Sequence, residues 1–278
     1  MDEDAEEELF VPLRPVYRDS LRDRRGEHEL RRERQIAEHV TRHREHGRPP
    51  GRRARGLQVA DIVTAAVAVA DDEGPEAVSM RRIARELDVG TMSLYWYVNS
   101  KEELHRLMLE RVQAEAEVPE PTGDWRADLR GYARTMRAAL LRHPWAIDFL
   151  GSGPPSGPND ARNAERLMGT LDGLGLDIVG TMRVLMTFVT YVIGAALREI
   201  QEIRLQDSVA EATAGMTQDE VDESVAEYSR RIRESGRYPH LARLLDADID
   251  PDSPLTRDER FEFGVECVLD GIAARLRL

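Results

Sequence analysis

Ser79-Met-Arg-Arg-Ile-Ala-Arg-Glu-Leu-Asp-Val-Gly-Thr-Met-Ser-Leu-Tyr-Trp-Tyr-Val-Asn-Ser-Lys101 decides how this chain is read. Met80, Ile83, Ala84 and Leu87 recur at i, i+3, i+4 and i+7, which lays an apolar stripe along one face of a helix. Ser79 stands where an N-cap hydroxyl accepts from an unpaired backbone N–H. Arg81, Arg82 and Arg85 fall off the stripe, within reach of phosphates. Asp88-Val89-Gly90 ends the helix, with Gly90 available for the positive φ of a tight turn. A second helix of about two turns, Thr91 to Val98, follows from the spacing of Leu94 and Val98, both turned inward. Thr91, Met92, Ser93, Tyr95 and Tyr97 are left for the outside. Two short helices across a tight turn are what a helix-turn-helix uses to place one helix in a DNA major groove. Any pair of amphipathic helices can imitate the pattern, but an outward Tyr-Trp-Tyr on so short a helix asks for a partner.

The flanks extend the same unit. Ser100 and Glu103 form an S-x-x-E capping box ahead of a helix whose stripe is Leu104, Leu107, Met108 and Val112. Upstream, Val59, Ile62, Val63, Ala66, Val67 and Ala70 mark another helix, and Gly74 is placed to close it. Residues 57–118 therefore read as a bundle of three to four helices.

Composition narrows the function classes. The 278 residues are enough for two modest domains and a tail, and the net charge of −13 argues against a general nucleic-acid sponge. The charge is uneven. Residues 42–101 hold ten basic and eight acidic side chains, a balance of +2, whereas residues 1–41 sum to −4 and residues 102–278 to −11. Positive balance thus coincides with the DNA-reading candidate, so non-specific affinity should be weak and salt-sensitive. Lys101 is the one lysine in the chain. Cys267 is the one cysteine, which excludes an intramolecular disulfide, fits a reducing cytoplasm and reads as a small buried hydrophobe. The acidic start has no signal-peptide pattern. Val184–Leu197 is the most apolar run; at 14 residues it is too short to span a bilayer and reads as a buried core helix, so no membrane partner is expected.

Residues 1–56 form a charged extension. Gly47-Arg-Pro-Pro-Gly-Arg-Arg-Ala-Arg55 gathers four arginines just before the bundle. Arg52, Arg53 and Arg55 suit an arm that enters the adjacent minor groove, and Gly47-Arg48-Pro49 faintly resembles an AT-hook core. A solvated linker explains the same charge. His39, His43 and His46 would share a helical face, but a metal site needs more ligands and a packed surround.

From Trp125 onward the pattern is helical: Trp125–Arg142, ended at His143-Pro144; 160–174; 177–205, apolar on nearly every face and so expected to be covered on all sides; an acidic stretch from 206; and 256–276, with Phe261, Val265, Val268, Leu269, Ile272 and Leu276 on one face. The Gly151–Pro158 loop lacks the Gly-Lys-Ser/Thr of a phosphate-cradling loop. No nucleophile has a paired base, and His105, His143 and His240 have no partner visible in the sequence, so an enzyme is not expected and no cofactor is implied.

The stretch from Leu57 to Val112, with its Leu94-Tyr-Trp-x-Val98 and the downstream Lys101, closely resembles the DNA-binding domain of the tetracycline repressor family. The resemblance implies that Thr91, Met92, Ser93 and Tyr97 face bases, while Tyr95, Trp96, Lys101 and Arg81 clamp or position the backbone. It returns in Ala139-Leu-Leu141, Phe149-Leu-Gly151 and Phe261-Glu-Phe-Gly-Val-Glu266 with Gly271. These are similar to the C-terminal domain of the tetracycline repressor branch, where two late helices from each subunit build a dimer interface. The implied pair is 177–205 and 256–276, and Gly194, Ala195 and Ala196 would let helices approach closely. Where that branch carries a metal-binding histidine, this chain has Phe149, which supplies no ligand atom, so a magnesium chelate is a doubtful effector. The implied pocket is more apolar: Met136, Leu140, Trp145, Phe149, Met168, Met182, Met186 and Tyr191. Core packing would use the same side chains.

The expected architecture is all-α: the extension 1–56, a helix-turn-helix domain 57–118, and an effector-binding and dimerisation domain 119–278. The expected function is a cytoplasmic, homodimeric transcriptional repressor that binds a palindromic operator in double-stranded DNA and is released by a small-molecule effector. The alternative is a protein-interaction module or an effector-independent DNA-binding regulator.

Overall fold

The computed structural model describes residues 56–150, 157–213, 215, 217–247, 253 and 256–277. The expected basic arm with Arg52, Arg53 and Arg55, the three N-terminal histidines and most of the Gly151–Pro158 loop lie outside the described residues. Among the described residues all regular structure is helical, as the periodicity implies: α1 Val59–Glu73, α2 Met80–Glu86, α3 Thr91–Leu94, α4 Lys101–Glu115, α5 Trp125–Arg142, α6 Pro158–Gly169, α7 Ile178–Thr213, α8 Gln218–Ser235, α9 Pro239–Asp246 and α10 Arg257–Leu276. Internal contacts divide the chain into two units, the boundary falling after Thr187 within α7.

In the first unit α1 is the hub. Ile62, Val63, Ala66, Val67 and Ala70 are buried along it, and it packs against α2, α4 and the 3-10 turn Pro144–Phe149. Gly74 ends it at φ 87°, its N–H donating to Ala70 O at 3.1 Å. Ser79 caps α2 by accepting from Arg82 N at 3.2 Å. The close of α2 differs from the sequence expectation. The positive φ falls on Asp88 (49°), while Gly90 is extended at φ −72° and serves as the N-cap of α3. Val89 N donates to Ala84 O at 2.9 Å and Asp88 N to Arg85 O at 3.3 Å, a Schellman arrangement with aspartate at the left-handed position. Aspartate tolerates that conformation better than most residues, which is why no glycine is needed there.

Two buried polar side chains stitch α4 to α6. Asn163 of α6 donates to Gln113 O at 2.8 Å and accepts from Val118 N at 3.0 Å, satisfying backbone groups where α4 ends. Reciprocally, Glu110 of α4 accepts from Asn159 N at 2.9 Å and Asp160 N at 3.2 Å, capping the start of α6. The Glu110 carboxylate lies so close to Gly157 that no Cβ fits there. The α6 helix is accordingly set by its cap at 157 and ends at Gly169, shorter than the expected 160–174.

In the second unit, Phe188, Val192, Ala196 and Ile200 of α7 are buried, as are Phe261, Val265, Leu269 and Ile272 of α10. Tyr191 donates its hydroxyl to Phe261 O at 3.0 Å and lies across Gly264, leaving no room for a side chain there. The pair α8 and α9 turns back at Gly236 (φ 61°) and is tied by Arg233 to Asp246 at 2.7 Å.

Two expectations need correction. The α7 helix is 36 residues rather than about 29, and it is not covered all round: Ile178, Val179, Met182 and Met186 are exposed in the first unit, and Leu197, Ile203, Leu205 and Val209 in the second. The apolar residues outnumber what one packed face can hold. Cys267 is exposed on α10, not a buried hydrophobe, because it lies two residues from both Val265 and Leu269 and so on the opposite face of the helix from their stripe.

Removing the α4–α6 stitch with Asn163→Ala should cost about 2 kcal/mol, since it leaves buried backbone groups unpaired. Gly90→Ala, at an extended φ with only ordinary contacts nearby, should shift stability by less than about 0.5 kcal/mol. Chemical denaturation of the two variants checks both.

Candidate nucleic-acid interface

A helix of four residues cannot hold itself in water. The α3 segment is held by its neighbours instead: Leu94 and Val98 are fully buried, and α3 packs against α2. Beyond Leu94 the chain does not continue as regular helix to Val98. It winds through a turn in which Tyr97 N and Val98 N both donate to Leu94 O at 2.9 Å. The turn rotates Tyr95 inward, and at 2% exposure it ranks among the largest buried side chains. Tyr95 therefore cannot face solvent as expected; it anchors the reading element rather than clamping phosphate from its surface.

The remaining candidates divide clearly. Met92 is 46% exposed, Arg81 and Arg85 are exposed, and Thr91, Ser93, Trp96, Tyr97 and Lys101 are partly exposed. Arg82, which the stripe also left pointing outward, is used internally: it reaches Glu73 at the end of α1 and Glu86 in α2, both at 2.6 Å. That pairing draws the Glu73 carboxyl below its ordinary range. Lys101 opens α4 directly after the Ser100 cap. Ser100 accepts from Glu103 N at 3.1 Å, but the Glu103 carboxylate returns to Asn99 N at 2.6 Å rather than to the cap residue, so the expected box is offset by one. The offset fixes the Asn99-Ser100 link between the reading turn and α4.

The effector candidates differ in exposure. In the first unit Met136, Leu140 and Trp145 are buried and Phe149 and Met168 are half-buried, while Met182 and Met186 (52% exposed) stand on the bare face of α7. Phe149 lies edge-on to Trp145 at 6.2 Å and against His105 at 4.7 Å, and burial there lowers the His105 pKa to about 4, with Lys101 adding to the effect. In the second unit Tyr191 lines a cleft of about 410 Å³ with Ala195, Arg198, Glu202, Arg257 and Phe261. Glu202 is buried there between Arg198 at 2.7 Å and Arg260 at 2.6 Å.

One cluster was invisible in the sequence. His143 is 4% exposed, with Nδ1 2.9 Å from Asp71 and Nε2 3.0 Å from Glu115. Trp145 Nε1 donates to the same Asp71 oxygen at 2.7 Å. The partners lie 72 and 28 residues away, beyond any local motif, although a histidine-proline step at a helix end was a place to look.

Comparison with known proteins agrees with this geometry. Residues 62–108 match the family described as bacterial regulatory proteins, tetR family, and residues 118–276 match the tetracyclin repressor-like C-terminal domain. The HTH-type transcriptional repressor DrrR1 of Streptomyces coeruleorubidus is 37% identical over 229 residues, covering 81% of each chain. The tetracycline repressor protein class A of Escherichia coli is 27% identical over 222 residues, covering 79% of this chain and 92% of that protein. The crystal structure of the Streptomyces coelicolor TetR family protein ActR in complex with actinorhodin superposes with a TM-score of 0.59 at 28% identity, covering 79% of this chain and 97% of that one. With a helix-turn-helix whose short second helix is held by buried Leu94, Tyr95 and Val98, and with matches in both its DNA-binding and its C-terminal parts, this chain belongs to the tetracycline repressor family of DNA-binding transcriptional regulators and is not an enzyme.

Proposed function

We propose that the protein is a homodimeric repressor that binds a palindromic operator and is released by a small, largely apolar effector. The observation that carries the dimer is the bare apolar face of α7, together with Phe263 on α10, which is 73% exposed. Such a face on a single chain is a binding surface in waiting. By length and composition α7 could also cross a membrane, with a mean hydropathy of 1.6 over its apolar stretch. Arg183 lies within that stretch and Arg198, Glu199, Glu202 and Arg204 follow it on the same helix, and these charges favour a protein partner in the cytoplasm. A two-fold dimer presents two copies of the reading turn to two half-sites, the geometry that a palindrome matches.

Within the reading turn we assign base contacts to Thr91, Met92, Ser93 and Tyr97, and backbone contacts to Trp96, Lys101 and Arg81. The basic segment with Arg52, Arg53 and Arg55 is assigned to the flanking minor groove. Residues 57–118 would form the reader, and residues 119–278 the effector-binding and dimerisation part. The complex of ActR with actinorhodin supports a small-molecule effector for this branch. Phe149 and Trp145, which lie edge-on to each other, with buried Met136 and Leu140 of α5, make an apolar first choice for the lining. The exposure of Met182 and Met186 favours a second reading, an effector-independent regulator.

Selection of sites from random duplex DNA should enrich an inverted repeat, and recovery of no site by a folded dimer would sink the proposal. On the enriched duplex, Tyr97→Ala and Lys101→Ala should each weaken binding about tenfold with folding intact. By contrast, Tyr95→Ala should destabilise the reader by about 3 kcal/mol, because it empties a buried site. Phe263→Arg should shift the protein toward monomer in sedimentation and reduce operator binding with it.

A further inference from the structure

His143 closes α5 at the point where three elements meet. Asp71, on its Nδ1 side, belongs to α1, the first helix of the DNA-reading bundle; Glu115, on its Nε2 side, is the last residue of α4, which leads out of that bundle. A neutral imidazole carries one N–H donor and one acceptor lone pair, whereas the imidazolium carries two donors. Here both ring nitrogens face carboxylate oxygens at about hydrogen-bond length, and a carboxylate accepts only. Both bonds can therefore form with the imidazolium alone. In the neutral ring one nitrogen turns its lone pair toward a carboxylate, and that link is lost.

The surrounding charges make the change reversible. Asp71 keeps the Trp145 N–H when it loses the ring. Glu115 keeps Arg142 at 3.0 Å and Arg111 at 3.2 Å. Neither carboxylate is left bare, so the ring can let go of one without stranding a buried charge. The groups that face the ring are thus Asp71 from α1, Glu115 with Arg111 behind it from α4, and Arg142 from α5, with Arg134 lining the same groove as Glu115. The carboxyl of Glu115 is held below its ordinary range, first by its bond to His143 and, against burial, by Arg142.

We propose that His143 is a proton-operated clasp that ties the DNA-reading bundle to the helices that follow it, so that protonation of this one ring sets the rigidity of the junction and, through it, operator affinity. The affinity part rests on the operator-binding reading above. The sign follows from the donors. The clasp is closed while the imidazole carries both protons and both carboxylates are ionised; it opens when the ring gives up one proton, and again when Glu115 or Asp71 takes one up. A closed clasp pre-orders the reader, so less freedom is lost on DNA and binding is tighter.

The test uses the full-length protein and two variants. Glu115→Gln keeps the shape but supplies an amide N–H that a neutral Nε2 can accept while Nδ1–H serves Asp71, so no proton is needed. His143→Gln removes the ring. In the wild type, imidazole ¹⁵N shifts should show both His143 nitrogens protonated at pH 6, and hydrogen-exchange protection of α1, corrected for intrinsic rates, should fall several-fold by pH 8.5. Affinity for the selected duplex should fall about fivefold over the same range, the worth of about one hydrogen bond. Both slopes should flatten in Glu115→Gln and in His143→Gln. A singly protonated ring throughout pH 5.5–8.5, or slopes in Glu115→Gln equal to those of the wild type, would overturn the clasp. Failure to bind any duplex, with the proton-dependent protection intact, would instead overturn the operator reading and uphold the clasp at the junction.

Discussion

Burial of Leu94, Tyr95 and Val98 is the constraint on which the reading element depends. A four-residue helix has almost no intrinsic stability, because its few hydrogen bonds do not offset the cost of ordering its backbone. Its position is therefore dictated by three side chains sunk into the bundle formed with α1, α2 and α4. That leaves the other side chains of the eight residues Thr91 to Val98 outside this packing. The arrangement also explains why α1 is so uniformly apolar. It is the floor against which the rest is fixed, and its alanines let neighbouring helices come close.

The charge distribution follows from the same economy. Among the arginines of α2, Arg82 is committed to Glu73 and Glu86 and helps hold the end of α1 to α2, whereas Arg81 and Arg85 remain exposed on the same short helix. One helix thus supplies both a strut and candidate phosphate contacts. A net charge of −13 disfavours affinity for DNA in general.

Most of the fold was legible because helical periodicity is a local property. The stripes through Met80–Leu87 and Leu104–Val112, the Ser79 and Ser100 caps and the exact span of α5 all depend on residues within one or two turns. What could not be read depends on geometry finer than periodicity or on partners far along the chain. Gly90 suggested the site of the left-handed turn, yet Asp88 takes it, because one residue's shift in where α2 closes is invisible to spacing. Tyr95 looked exposed on an ideal helix and is buried because the helix stops early. The partners of His143, and the exchange between Glu110 and Asn163, join residues 28 to 72 positions apart. The apolar excess of α7 was visible, but its pattern could not say whether the cover comes from the same chain.

The exchange of caps between α4 and α6 has a mechanical consequence. Glu110 completes the beginning of α6 while Asn163 completes the end of α4, so each helix terminus is finished by a side chain of the other. Neither helix can slide along its axis without exposing its partner's unpaired backbone groups. The two are therefore coupled along their axes, and since α4 begins at Lys101, beside the turn after α3, a displacement of α6 is one that α4 must share.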